Sequence, residues 1–465
     1  MPAPPSFTDL LTAAAHGASH LEEEGVLSLA LPLLGRDPLT LLNQLGDGHQ
    51  FRFLWDGAPG LCLAASGRTH HLELSGPRRF ELAQRFSALS LSRLVAVPQS
   101  CPPLARPRVL LAFSFFDSPL QEGTGVPGVQ AVLPRWQLSR QGRHGWLRLQ
   151  RALGGEVTAR SLAEELWEEA QRLSTLPPDP EASGDPRPDP VVTHSSPWQE
   201  GYRDALRHAL ALVEDNHLRK IVLAVRQELH LDQPLDPLRL LAHLRRRQPG
   251  SCRFLWQQRQ GECLIGASPE RLLAVRQGQL RSDALAGTAP IDAPAGQLLA
   301  SMKDRHEHEL VVETITRVLA ENGLAPRRPR HPRLARHGQL LHLHTPITCA
   351  LGGHHPLALA AALHPTPAVA GLPRREAMAA LRSLEPFERG HYAAPIGWID
   401  SEGDAELRVA IRSGTLRGQR LELTAGAGLV RGSEPERELQ EVALKLGVLQ
   451  QQLSLPLGSS TAARW

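Results

Sequence analysis

The alternation of apolar and polar residues along the chain predicts many short strands and several amphipathic helices. In the first part, the pattern predicts strands at 51–55, 60–65, 109–116 and 146–149 and a helix at 161–173. In the second part, it predicts helices at 198–217, 295–321 and 435–453 and strands at 220–229, 254–256, 263–267, 272–275, 340–344, 393–399, 407–412 and 421–424. We expect the last two strands to pair and the helix 295–321 to be continuous.

A proline-rich stretch, residues 177–197, separates a first part, 1–176, from a second part, 198–465. Proline fixes φ and lacks an N–H donor, so this stretch can form neither a helix nor a central strand. We therefore predict a linker. The first part has no concentration of catalytic residue types and is expected to be a scaffold, whereas the second part carries the candidate chemistry.

Composition excludes several classes of protein. Hydrophobic residues make up 42% of the 465 residues and charged residues 21%, which excludes global disorder. No apolar run approaches the roughly 20 residues of a membrane span, and the N-terminal residues do not resemble a secretory signal. Five scattered cysteines favour a reducing, cytoplasmic location. The net charge of +3 argues against nucleic acid as a partner.

Lysine is rare in this arginine-rich chain. Only Lys220, Lys303 and Lys445 are lysines among the 51 basic residues. Since the pKa of lysine falls readily on desolvation and that of arginine does not, each lysine is a candidate base or point-charge ligand. Lys220 opens a strand that is apolar on both faces, where burial favours a neutral amine. The alternative is a lysine whose ammonium reaches solvent.

A candidate acid follows the next buried strand. Pro269 interrupts that strand just before Glu270, and small residues precede it, leaving room for a ligand. A partly buried glutamate can keep its proton and act as a general acid. A surface ion pair between Glu270 and Arg271 is the alternative.

Three further carboxylates suit a hard cation. Glu307 lies in line with the apolar stripe of its helix, and Glu438, Glu441 and Lys445 share one face of the last helix. Together the three glutamates would form an all-oxygen site for Mg²⁺. A solvated pair of Glu441 with Lys445 is the alternative.

The histidines near these carboxylates allow an alternative interpretation, a zinc site. His306 and His308 face different directions on a helix, whereas His342 and His344 would share a face of a strand. A zinc hydrolase therefore remains an alternative.

Three features suit an anionic ligand. Arg412 is predicted to lie inside a strand, and small-residue turns occur at 286–288 and 424–428. Glycine at such turns lets backbone amides approach a carboxylate.

These residues lie in stretches that together resemble the chorismate-utilising enzymes, and within them the isochorismate synthases of the menaquinone or phylloquinone type. The resembling stretches are Lys-Ile-Val-Leu-Ala (220–224), Gly-Ala-Ser-Pro-Glu-Arg-Leu (266–272), Ala-Leu-Ala-Gly-Thr (284–288), Lys-Asp-Arg-His-Glu-His-Glu-Leu-Val (303–311), His-Leu-His-Thr (342–345), Leu-His-Pro-Thr-Pro-Ala-Val-Ala-Gly (363–371), Glu-Pro-Phe-Glu-Arg-Gly-His-Tyr (385–392), Gly-Ala-Gly-Leu-Val (426–430) and Glu-Leu-Gln-Glu-Val-Ala-Leu-Lys (438–445). The chain departs from the family in a short loop between Thr288 and Lys303 and in Ala394, where glycine is common.

The resemblance implies an α+β fold of large, mainly antiparallel sheets packed together with helices outside, in which both parts of the chain form one compact unit. It implies chorismate as the substrate, Mg²⁺ as the cofactor, and naphthoquinone synthesis as the role. We expect a monomer.

The resemblance also implies roles for individual residues. Lys220 would be the general base that activates water for attack at C2 of chorismate, and Glu270 the general acid for the C4 hydroxyl. Glu307 and Glu441 would hold Mg²⁺, with Glu438 acting through water. The substrate would be bound by Gly287, Thr288, His342, Ala368, Tyr392, Arg412, Gly426, Gly428 and Lys445.

Two positions separate members of the family. Lys220 argues against the ammonia-using synthases, which typically lack a lysine there. Salicylate synthases tend to carry threonine where this chain has Ala368, which favours isochorismate as the final product. A salicylate synthase, a siderophore-type isochorismate synthase and a catalytically silent chorismate-binding subunit remain the alternatives.

Overall fold

The computed structural model describes residues 5–46, 51–98, 101–119, 125–176, 190–259 and 261–453. Its strands are β1 Val26–Pro32, β2 Arg52–Asp56, β3 Cys62–Leu74, β4 Leu94–Val97, β5 Arg108–Phe113, β6 Val129–Gln141, β7 His144–Ala152, β8 Val192–Ser195, β9 Lys220–Leu231, β10 Cys252–Arg259, β11 Glu262–Ser268, β12 Arg271–Arg276, β13 Gln279–Pro290, β14 Arg333–His337, β15 Leu340–Ala350, β16 Gly371–Leu372, β17 Pro395–Asp400, β18 Ala405–Val409, β19 Ser413–Arg417 and β20 Arg420–Leu429. Its α-helices are α1 Phe7–Ala18, α2 Pro38–Leu41, α3 Arg79–Ser92, α4 Ala159–Thr175, α5 Gln199–Glu214, α6 Pro237–Arg247, α7 Ala295–Ala300, α8 Met302–Glu321, α9 Pro356–Leu363, α10 Arg374–Leu384 and α11 Pro435–Gln450.

The strands form one connected sheet that divides at the long strand β6. One edge of β6 pairs with β3, and its other edge pairs first with β5 and then with β7. From β3 the first leaf continues through β2, β10, β11, β19 and β20 to β9. From β5 the second leaf continues through β17, β18, β12, β13 and β15 to β14. The pairs along both leaves are antiparallel.

Large aromatic and aliphatic side chains from both leaves form a buried cluster. Phe53, Phe254 and Trp256 come from the first leaf, and Trp398 and Ile396 come from the second. Burying such a side chain contributes about 1.5–3 kcal/mol each, so this layer holds the leaves together. Helices α5, α10 and α11 pack near the β9 end of the first leaf, and α8 packs on β13 and β15. The expected α+β fold of packed antiparallel sheets with helices outside is confirmed.

Strands from the two parts of the chain pair directly. β2 pairs with β10, and β5 pairs with β17. Of the predicted linker 177–197, residues 177–189 lie outside the described residues. The linker prediction is wrong for Val192–Ser195, which forms strand β8 on the edge of β9, because its alternating residues can extend the ladder once the prolines end. No helix in the described ranges is long and apolar enough to cross a membrane.

Two other local predictions are wrong. The helix expected at 295–321 is two helices separated at Ser301, whose extended backbone and side-chain hydroxyl cap the amide of Asp304. Serine favours such a cap because its oxygen accepts from an otherwise unpaired helix N–H. Segments 407–412 and 421–424 do not pair with each other, because β19 lies between them in the chain and pairs with β20.

Candidate active site

One pocket lies between the β9 end of the first leaf and the middle of the second leaf. All but two of the predicted site residues line it: Glu270, Gly287, Thr288, Glu307, His342, Ala368, Tyr392, Arg412, Gly426, Gly428, Glu441 and Lys445. The other two, Lys220 and Glu438, lie beside the pocket. Lys220 contacts Glu307, and Glu438 contacts Lys303. Residues from nine separate stretches of chain therefore meet at one place.

Lys220 is the first residue of β9 and is fully buried. Its Nζ lies 3.0 Å from Oε1 of Glu307. The alternative of a lysine that reaches solvent is excluded. A buried ammonium requires a counter-charge, and Glu307 on α8 provides it.

Glu270 lies between β11 and β12, just after the interruption at Pro269, and is 4% exposed. Burial raises the pKa of Glu270 to about 7, against the opposing charges of Lys220 and Arg412. The alternative surface pair with Arg271 does not form, because Arg271 contacts Asp283 instead. Glu270 can therefore hold or release a proton near neutral pH.

Three carboxylates, Glu307, Glu438 and Glu441, form a compact charged group with Lys220, Lys303 and Lys445, which we call the carboxylate group. Lys303 Nζ lies 2.9 Å from Oε1 of Glu438 and 3.7 Å from Oε2 of Glu307. Lys445 Nζ lies 2.6 Å from Oε1 of Glu441. Burial and the neighbouring charge of Glu441 raise the pKa of Glu438 to about 7. Glu438 can therefore exchange a proton near neutral pH.

The donors of the carboxylate group fit a hard cation. All are carboxylate oxygens, the donor type that Mg²⁺ prefers, and Oε2 of Glu438 is buried without a hydrogen-bond partner. In the described part of the chain, no three potential ligand side chains already surround a common metal position. Lysine ammonium groups instead lie against these carboxylates.

Lys303 is a site residue that the sequence reasoning did not assign. Its rarity as one of three lysines was the available signal. Only the approach of α11 to α8 shows that Lys303 contacts Glu438, a residue 135 positions later in the chain.

Arg412 and His342 form a buried polar pair. Arg412 does not lie inside a strand, as predicted, but between β18 and β19 with φ of +51°. This uncommon backbone conformation turns its side chain toward the pocket, where Nη2 lies 3.3 Å from Nε2 of His342. His342 Nδ1 lies 3.1 Å from the carbonyl oxygen of Gly287. Burial and Arg412 keep the pKa of His342 well below its usual range, so the neutral ring donates from Nδ1 and accepts at Nε2.

Gly287 needs the freedom of glycine. It has φ of +72° and forms a bulge in the pairing of β13 with β15. The bulge turns Thr288 and the carbonyl of Gly287 toward His342.

Gly426 and Gly428 present backbone groups to the pocket. β19 pairs with β20 only as far as Thr424, whereas β9 pairs with β20 up to Leu429. The carbonyl of Gly426 accepts from Lys445 at 2.7 Å and so points away from β9. In an antiparallel strand, the N–H and C=O groups of one residue point to the same side, and residues two apart share that side. The amides of Gly426 and Gly428 therefore both face the edge of β20 that β19 leaves open.

Tyr392 and Ala368 are held by a residue that sequence reasoning missed. The buried Arg389 donates to the carbonyls of Val369 and Val222, both at 2.7 Å. Its guanidinium also lies over the ring of Tyr392, and its charge is balanced by Glu385. The Glu-x-x-x-Arg spacing in 385–389 was the only sequence signal.

The histidines do not form a zinc site in the described residues. His308 Nε2 contacts Thr345 Oγ1 at 2.8 Å, and His344 Nε2 contacts Asp283 Oδ1 at 3.0 Å. Each ring has a separate partner, so the imidazoles do not converge.

The geometry defines a pocket for a small anion, with a buried acid and a buried lysine on a sheet scaffold. The model of the chorismate binding enzyme family matches residues 11–454. The chain belongs to this family.

Two curated relatives match more than half of the chain. The salicylate biosynthesis isochorismate synthase of Pseudomonas aeruginosa is 42% identical over 55% of this chain and 54% of its own length. The isochorismate synthase EntC of Escherichia coli is 38% identical over 56% of this chain and 68% of its own length. The chain thus matches about half to two thirds of these relatives.

A solved structure matches nearly the whole chain. The menaquinone-specific isochorismate synthase MenF from Escherichia coli has a TM-score of 0.75 and 26% identity, covering 96% of this chain and all of that one. The likeness therefore extends across both parts of the chain.

Proposed function

We propose that the protein is a Mg²⁺-dependent isochorismate synthase that converts chorismate to isochorismate. The observation that carries the proposal is that a buried acid, Glu270, lines the pocket and a buried lysine, Lys220, lies beside it, in a chain similar to isochorismate synthases. A base and an acid are the two groups that a hydroxyl transposition requires.

In the proposed reaction, Nζ of Lys220 takes a proton from water as the water oxygen bonds to C2. The ring double bond shifts, the C4–O bond breaks, and Glu270 gives its proton to the hydroxyl, which leaves as water. One water enters and one leaves, so product and substrate are isomers. The pKa of Glu270 near 7 suits the donor role.

Substrate carboxylates would be bound by the cations and donors of the pocket. Arg412, Tyr392 and Lys445 line the pocket together with Gly426 and Gly428, whose amides lie on the open edge of β20. When bound by Glu307 and Glu441, with Glu438 acting through water, Mg²⁺ would neutralise substrate carboxylate charge. Each of these interactions recognises an anion and none requires a hydrophobic ligand.

We propose naphthoquinone synthesis as the role because the likeness to the menaquinone-specific MenF covers almost the whole chain. A salicylate synthase or a siderophore-type enzyme is the second candidate, favoured by the 42% identity to the salicylate biosynthesis isochorismate synthase. Ala368, rather than threonine, supports a reaction that ends at isochorismate.

The test is incubation of purified protein with chorismate, with and without Mg²⁺, followed by chromatography and mass spectrometry. Isochorismate formed only with Mg²⁺ supports the proposal, whereas salicylate and pyruvate support the second candidate. Unchanged chorismate despite measurable binding contradicts both and indicates a silent binding subunit.

A further inference from the structure

We infer that Lys303 is an internal counter-cation of the carboxylate group and that a divalent metal must displace it to bind. This inference rests on the metal site of the proposed function. It adds a residue that controls metal affinity and is not itself a ligand.

Lys303 bridges two helices through the proposed ligands. It lies on α8 one turn before Glu307, and its Nζ is 2.9 Å from Glu438 on α11. The side chain of Glu438 is 2% exposed and that of Glu307 is 8% exposed. The ammonium therefore neutralises carboxylates that water barely reaches.

A metal ion and this ammonium compete for the same two carboxylates, Glu307 and Glu438. Mg²⁺ held directly by Glu307, with a metal-bound water held by Glu438, would take the place that the ammonium now occupies between them. The two cations also repel each other strongly in a partly buried site. Lys303 has a way out, because its side chain is 27% exposed, whereas Lys220 on the other side of Glu307 is fully enclosed.

Lysine suits this exchange better than arginine. A compact ammonium on a flexible four-carbon stem can leave by rotation, whereas a guanidinium fork would form two hydrogen bonds with a carboxylate and hold it. The chain uses arginine for nearly every other cation.

The first test is lysine-selective acylation of the intact protein, read by peptide mass spectrometry. The sequence holds only three lysines, so each site is resolved, and the N-terminal amine is the internal standard. We expect Mg²⁺ to raise labelling of Lys303 severalfold, and to have no such effect in the control variant Glu441→Gln, which weakens metal binding. If calorimetry shows that the wild-type protein binds Mg²⁺ but labelling of Lys303 is unchanged or reduced, the displacement of Lys303 is overturned and the proposed metal site is not.

The second test is calorimetric titration of Lys303→Met with Mg²⁺ in the absence of chorismate. Removing the competing charge is expected to tighten binding about tenfold or more. The substitution should also lower the melting temperature of the metal-free protein, and adding Mg²⁺ should restore that temperature. Weaker binding by Lys303→Met overturns the inference, and failure of both proteins to bind Mg²⁺ overturns it together with the proposed metal site.

Discussion

Two buried charge clusters in this protein differ in how fully they are neutralised. On the face of the first leaf that α6 covers, Asp56 of β2 receives Arg253 of β10 and Arg245 of α6, at 2.9 Å and 2.6 Å. Despite burial, these arginines lower the pKa of Asp56 to about 2. In the pocket, by contrast, burial raises the pKa values of Glu270 and Glu438 to about 7.

The two clusters use charge for different purposes, one for stability and the other for chemistry. In the Asp56 cluster, the partners are arginines, which stay charged, so Asp56 does not change its protonation near neutral pH. The pocket carboxylates Glu270 and Glu438 have pKa values near neutral pH, so they can exchange protons or accept a ligand.

Replacing Lys220 with methionine should break the chemical cluster. Turnover of chorismate is expected to fall roughly 10²–10⁴-fold, the usual contribution of a general base. Glu307 keeps Lys303 as a neighbour, so the fold should persist. The measurement is isochorismate formation by chromatography, with thermal melting as the control. More than a tenth of the wild-type rate in a folded variant would contradict the assignment of the base.

Replacing Arg253 with methionine should break the structural cluster. The free energy of unfolding is expected to fall by about 3 kcal/mol, the low end for a broken buried pair, because Arg245 still contacts Asp56. Denaturant titration measures the loss. At temperatures where the variant is folded, the pH dependence of turnover should match that of wild type. A changed pH profile would show that the two clusters are coupled.

The pKa of Glu270 predicts two pH effects. Turnover should decline above about pH 7, because the acid must be protonated. The pKa of Glu270 in the folded state lies above its unfolded value of 4.5. The stability that the neutral acid contributes is therefore fully present below pH 4.5 and is lost as the pH rises through about 7. Relative to Glu270→Gln, wild type should lose up to about 3 kcal/mol across this range. Parallel denaturation curves for the two proteins from pH 5 to 9 would count against a buried neutral Glu270.

Gly428→Ala should disturb the pocket through space alone. A Cβ at this position would collide with the carboxylate of Glu307 and lie 3.1 Å from Cε of Lys220. Such overpacking typically costs about 1–3 kcal/mol, and we expect weaker Mg²⁺ binding by calorimetry. The matched control is Gly296→Ala on α7, where an added Cβ meets nothing and stability should hold or rise. Equal Mg²⁺ affinities in the two variants would refute the steric role.

Helices and strands could be predicted where the short-range pattern of apolar and polar residues determines them. The apolar run of 220–229 and the periodic 435–453 segment became β9 and α11 with shifts of a few residues at the ends. Errors arose where one residue or a distant partner decides. The cap at Ser301 divides a periodic helix, and the positive φ of Arg412 ends a strand that its neighbours favour.

The candidate chemistry was predictable in kind. A lysine kept among arginines, a glutamate after an interrupted strand and a glutamate in an apolar helical stripe each pointed to the pocket before any contact was known. Resemblance to the family supplied the grouping of these residues, which spacing alone left open.

By itself, the sequence determined the types of element, the apolar core and the residue types available for chemistry, because these depend on composition and short-range periodicity. Only the tertiary structure decided which charges share a space: Lys220 with Glu307, Lys303 with Glu438, and Arg412 with His342. The reason is physical, since desolvation and Coulomb energy depend on burial and distance, and both are set where the two leaves and the helices α8 and α11 meet.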